Sequence, residues 1–118
     1  MKRTDFAGAL YRYFRDYLVN DRGCSARTIE TYRYAFIQFI DYMENHLNIR
    51  PEKIELTHIN VQNLQSFLLW LEREKKVSTS TRNQRLAAFK SFSSFLKYDL
   101  PECLDNVIQI QNINLHYS

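Results

Sequence analysis

A chain of 118 residues with 45% hydrophobic and 25% charged positions can bury a core, which argues against disorder. Two glycines and two prolines are too few for the many tight turns of an all-β protein, so helices are expected. A net charge of +3 does not by itself imply an anionic partner, and no window reaches the roughly 20 apolar residues of a membrane span.

Residues 5–19 are expected to form the first helix, capped by Thr4. Phe6, Leu10, Tyr13, Phe14, Tyr17 and Leu18 recur there at helical spacing. Asn20-Asp21-Arg22-Gly23 ends it, with Gly23 suited to the left-handed conformation. A longer helix over 26–47 is capped by Ser25 and carries the stripe Ile29, Tyr32, Phe36, Phe39, Ile40, Met43 and Leu47. Pro51 closes the following turn. The third helix starts after Thr57, buries Ile59, Leu64, Phe67, Leu68 and Leu71, and stops near Lys75. The fourth, over 79–97, is capped by Ser78 and buries Leu86, Phe89, Phe92 and Leu96. Pro101 follows it, then a short fifth helix around 102–109.

Helices with such stripes pack on one another, so the expected fold class is all-α. It is a compact orthogonal bundle of four main helices plus a short C-terminal helix. The expected organisation is a domain over 1–110 and a linker over 111–118. The charged start, with only Phe6 to Leu10 behind it, does not make a secretion signal. Isolated Cys24 and Cys103 fit reduced thiols in a cytoplasmic protein better than a disulfide framework or metal site.

The distribution of charge is more informative than its sum. From Lys75 to Tyr98 the chain carries Lys75, Lys76, Arg82, Arg85, Lys90 and Lys97 with no Asp or Glu, which suggests a face for an anionic partner. Helices two and four open alike, with Ser25-Ala26-Arg27-Thr28 and Ser78-Thr79-Ser80-Thr81. Each start offers backbone N–H groups and hydroxyls to a phosphate oxygen. At about 100° per residue the outer stripe of helix four collects Ser80, Asn83, Ala87, Lys90 and Ser94, flanked by Gln84, Ser91 and Lys97. A merely solvated helix would favour Glu–Lys pairs there; small residues between amides and lysines permit close approach to a groove. Helix two offers Arg27, Thr31, Tyr34 and Gln38, with Glu30 beside them. Arg85 falls by angle with the apolar stripe, or emerges past the core near the helix start.

These residues carry a family resemblance. Arg22-Gly23-Cys24-Ser25-Ala26-Arg27-Thr28-Ile29-Glu30-Thr31-Tyr32, then Phe39-Ile40-Asp41-Tyr42, resembles the opening of the SAM-like, or core-binding, domain of tyrosine recombinases of the phage-integrase type. Leu56-Thr57-His58-Ile59-Asn60 through Phe67-Leu68 resembles its third helix. Ser80-Thr81-Arg82-Asn83-Gln84-Arg85-Leu86 through Phe95-Leu96 resembles its fourth. The likeness spans roughly residues 5–110. It departs at Gln84, where relatives often carry Arg or Lys, and at Pro101-Glu102, where an Asn-Pro is usual.

The resemblance implies half of a C-shaped clamp on duplex DNA, with helices two and four across the major groove. A separate C-terminal domain would hold the Arg, Lys, His and Tyr that make and reseal a 3′-phosphotyrosine bond. Carried over by position, the DNA-facing candidates are Arg27, Thr28, Glu30 and Thr31 with Ser80, Thr81, Asn83, Gln84 and Lys90. Expected partners are double-stranded DNA and other recombinase protomers, with no cofactor, metal, membrane or small-molecule substrate.

No catalytic residue is expected within the chain, which should not cut DNA by itself. The family's His-x-x-Arg is missing: His46 leads to Ile49 and His58 to Val61, while His116 lies at the end. Tyr117 fits a linker better than a nucleophile. Two other functions stay open. One is a helical protein–protein module using Tyr34, Phe95 or an apolar edge. The other is a small enzyme built on Cys24 or a His, although no base–nucleophile pair is visible in the sequence.

Overall fold

The computed structural model describes residues 4–115, apart from the side chains of Cys103 and Leu104. The readings of Cys103 as a thiol and Tyr117 as linker lie outside the described residues. Every regular element among those residues is helical, and none is long and apolar enough to cross a membrane. The chain divides into two units, Met1–His58 and Ile59–Ser118.

In the first unit, helix α1 spans Asp5–Arg12. Thr4 caps it, its hydroxyl oxygen accepting the Ala7 N–H at 3.2 Å. The helix does not continue in α form to residue 19. From Tyr13 to Asp21 it widens into a π-type stretch, and the Arg22 N–H reaches back to the Tyr17 carbonyl. The physical reason lies in the spacing of large side chains. Tyr13 and Leu18 are five apart, which α geometry would separate by about 140° around the axis. Bonds from i to i+5 bring them onto one side, and both are fully buried. Gly23 then takes the expected left-handed conformation, φ 59°.

Helix α2, Ala26–Leu47, ends on Asn48 at φ 55°, a left-handed residue whose N–H bonds the Met43 carbonyl. Phe36, Phe39 and Met43 are buried as expected, but so are Ala35 and Tyr42. Leu47 is 39% exposed, so the buried stripe is rotated from the one read in the sequence. The ring of Phe36 meets Tyr13 and Phe14 edge-on at 6.0 and 5.8 Å. Single 3-10 turns follow at Pro51–Lys53 and Leu56–His58. The Leu56 N–H donates to Asp5 Oδ1 at 2.8 Å, fastening this segment to the start of α1.

In the second unit, helix α3 runs Val61–Arg73. It begins later than the sequence suggested, because Asn60 provides the cap by accepting the Asn63 N–H at 2.8 Å. Ile59 is buried but precedes the helix. Helix α4, Thr79–Asp99, packs Phe89 edge-on against Phe67 at 5.8 Å. A short turn at Pro101–Cys103 leads to α5, Leu104–Gln111. Val107 and Ile110 of α5 are buried, and the Asn106 side chain donates to the Ile59 carbonyl. Past α5, Ile113 is also buried and the Asn114 carbonyl accepts a hydrogen bond from Arg82. Packed structure therefore enters the stretch read as linker.

Candidate nucleic-acid interface

The paired helix starts have the same construction. Ser25 Oγ accepts the Thr28 N–H at 3.2 Å and lies 3.1 Å from Thr28 Oγ1. Ser78 Oγ accepts the Thr81 N–H at 3.1 Å and lies 3.1 Å from Thr81 Oγ1. Neither first turn holds an acidic residue, whereas α1 and α5 carry Asp5 and Asp105 there. The positive ends of α2 and α4 thus keep no carboxylate of their own in that turn, and the N–H groups before each Thr have no carbonyl of their helix to meet.

The predicted residues form two clusters, one in each unit. On α2, Arg27 and Glu30 are exposed, while Thr28 and Thr31 are half-buried. Thr31 Oγ1 donates to the Arg27 carbonyl at 3.0 Å, and Glu30 pairs with exposed Arg33 at 3.7 Å. On α4, Ser80 and Gln84 are exposed, and Thr81, Asn83 and Lys90 are half-buried. Apart from Thr28 and Thr81, which fall by angle on the core side of their first turns, these residues lie outside the buried arc of their helices.

Two arginines of the basic stretch do not reach the surface. Arg82 is 4% and Arg85 is 9% exposed. For Arg85 this settles the alternatives on the side of the apolar stripe. Arg82 is the residue sequence reasoning missed. It lies four before Leu86 and seven before Phe89, a spacing that places it in the core arc whatever its charge. Its guanidinium meets Glu72, with Nε 3.3 Å from Oε1. Burial pushes its pKa down and Glu72 pulls it back up.

The lysines behave differently. Lys75 and Lys76 are exposed in the loop before α4. Lys75 Nζ stands 5.2 Å from the centre of the Trp70 ring, and Lys76 takes a left-handed φ of 54°.

The small residues of α4 have a second use. Gln111 Nε2, from the end of α5, reaches the Lys90 carbonyl at 2.7 Å, Ser93 Oγ at 2.7 Å and Ser94 Oγ at 3.1 Å. The C-terminal part of the outer stripe therefore receives α5, leaving the Ser80–Ala87 part as the open one. Among the described residues, no group of three His, Cys, Asp or Glu could hold a metal ion.

Residues 12–99 match the family model described as "Phage integrase, N-terminal SAM-like domain". The chain belongs to this family. Over 112 residues, covering 95% of the chain, it is 30% identical to the y4rC protein of Sinorhizobium fredii, which carries a provisional integrase/recombinase name; the match covers 33% of that protein. Against the tyrosine recombinase XerC of Herpetosiphon aurantiacus identity is 33% over 84 residues, 71% of the chain and 26% of the relative. Against XerC of a Roseiflexus species it is 36% over 83 residues, 70% of the chain and 25% of the relative. The chain thus spans between a quarter and a third of these recombinases. No solved structure gives a significant match. The matched residues contain both Ser/Thr-capped helices, so the integrase SAM-like domain and the candidate surface coincide in this chain.

Proposed function

We propose that this domain is a non-catalytic DNA-binding part of a site-specific tyrosine recombinase. It clamps duplex DNA across the major groove during integration and recombination in the cytoplasm. Arg27, Thr28, Glu30 and Thr31 act from α2, and Ser80, Thr81, Asn83, Gln84 and Lys90 from α4. Lys75 and Lys76 join them from the adjoining loop. Other protomers of the full-length recombinase are further partners, and strand cleavage belongs to catalytic groups outside these 118 residues.

The observation that carries the reading is the α4 start. It combines a hydroxyl-capped helix end without a carboxylate, two exposed lysines just before it, and neutral amides on its open face. Phosphate contacts fix register on a duplex, while amide and hydroxyl groups reach base edges. Glu30 fits a different task, ordering Arg33 or accepting from a cytosine amino group.

A second reading, a protein–protein module, draws support from Tyr34 and Ile37 on α2, 50% and 54% exposed. A fluorescence titration with a duplex of some 25 base pairs separates the two. Duplex binding that weakens as salt rises supports the clamp. No binding even at low salt overturns it and favours the module.

A further inference from the structure

Arg82 stands inside the run Ser80-Thr81-Arg82-Asn83 yet turns inward, and its contacts come from three places in the second unit. Its Nη1 donates to Asn83 Oδ1 at 3.0 Å and to the Asn114 carbonyl at 3.0 Å. Its Nε faces Glu72 Oε1 at 3.3 Å, too poorly aligned for a hydrogen bond. A cleft of about 340 Å³ opens beside it, lined in part by Gln65, Glu72 and Asn114.

Burying the guanidinium against half-buried Glu72 is a poor way to gain stability, because an apolar side chain of similar volume would avoid desolvating a charge. The guanidinium offers something else. Its planar donors hold several acceptors in one fixed relation, which neither an apolar residue nor a lysine can do. Here one acceptor belongs to a candidate DNA-facing residue and another to the backbone beyond α5. Both N–H groups of Nη1 are committed, so any displacement of the guanidinium disturbs both partners together.

We infer that Arg82 is a positioning residue that sets the carboxamide of Asn83 and the segment at Asn114 in one arrangement. Discrimination between duplex sequences then depends on a side chain that touches no nucleic acid. This rests on the DNA-binding reading of Asn83. It adds a link between the recognition face and the stretch leaving the last helix.

The test uses this chain, its Arg82→Lys variant, and a duplex selected from a randomised pool with the unaltered chain. Lysine keeps a cation opposite Glu72 but loses the fork. Without DNA, amide exchange over residues 113–115 is expected to accelerate about tenfold in the variant, while amides around Phe89 keep their rates. The preference for the selected duplex over a scrambled one is expected to fall about tenfold, within the range of one base contact. The slope of affinity against salt should not change, because no phosphate loses its cation.

Unchanged exchange and preference would overturn the inference. So would a shallower salt slope, which would make Arg82 a phosphate ligand. If the variant fails to fold, the Arg82 Nε–H resonance of the unaltered chain decides: a shift on adding duplex supports the link, and none overturns it. Failure of the unaltered chain to bind any duplex would remove the DNA-binding reading itself. Binding with intact discrimination in Arg82→Lys would remove only this inference.

Discussion

Salt dependence tests the division between buried and exposed cations quantitatively. The perturbation is a rise in monovalent salt from about 50 to about 200 mM during duplex titration, a range over which protein–phosphate contacts separate clearly. Arg27, Lys75, Lys76 and Lys90 are the cations assigned to phosphate in the proposed interface, with exposed Arg33 paired to Glu30 and exposed Arg22 left outside it. With one phosphate each and about −0.9 per phosphate, log affinity should fall with log salt at a slope of about −3.6. A fourfold rise in salt then weakens binding about 150-fold. If buried Arg82 and Arg85 also reached phosphates, the slope would steepen to about −5.4 and the loss would approach about 2,000-fold.

Fluorescence anisotropy with a labelled duplex distinguishes these values, and Lys76→Gln should lower the slope by about 0.9. A slope near the steeper value that persists in an Arg22→Gln/Arg33→Gln variant would refute the assignment of both arginines to the interior. A slope near zero would refute the interface.

Replacing Lys90 by Glu should flatten the salt slope by about 1 while leaving the melting transition in place, since its side chain lies outside the buried arc. Loss of folding by circular dichroism would contradict that placement. Phe89→Ala removes a fully buried ring packed on Phe67 and should cost about 3–5 kcal/mol in denaturant unfolding. Ser78→Ala deletes the hydroxyl cap of α4 and should cost about 1 kcal/mol, with duplex affinity falling as well. Gly23→Ala meets no atom within 4 Å but must hold φ near 59°, so a destabilisation of about 1 kcal/mol should come from the backbone alone.

The sequence made the helices and their caps legible because those signals are local. Ser25, Ser78 and Thr4 each cap the helix that follows them, and apolar spacing located α2 and α4 closely. Thr57 misled because Asn60, three residues on, makes the competing cap for α3. The widening after Tyr13 escaped notice because the α period already accounts for Phe6, Tyr13 and Tyr17. Only the need to bury Leu18 as well favours the wider turn. Arg82 was unreadable for a different reason. Its spacing marked it as interior, but only Glu72 and the Asn114 carbonyl make an interior guanidinium tolerable. Those partners come from other segments of the chain. At the candidate site, the residues and caps were legible. The bonding of Gln111 to the Lys90 carbonyl and the Ser94 hydroxyl was not, because it depends on where α5 comes to rest.

The partition of cations between interior and surface also bears on how such an interface would recognise its site. Guanidinium is weakly hydrated and planar, so it survives burial when acceptors surround it. Ammonium is strongly hydrated and stays where water reaches it. In the basic stretch before and along α4, the arginines went inside, while Lys75, Lys76 and Lys97 stayed exposed and Lys90 half-buried. A lysine contacts phosphate as a point charge, which gives affinity without sequence information. The guanine-reading arginine common in major-groove contacts is therefore not available from α4. On the proposed reading, sequence preference would instead come from Ser80, Asn83 and Gln84, or from Arg27 on α2. Amides pair best with adenine, so on this reading the α4 half-site should be rich in A·T pairs. Selection from a randomised pool would expose the alternative directly: an invariant guanine that survives Arg27→Gln and glutamine at Arg22, Arg33, Lys75, Lys76 and Lys90 in turn, but not Arg85→Gln, would mean that a buried arginine leaves the core on binding.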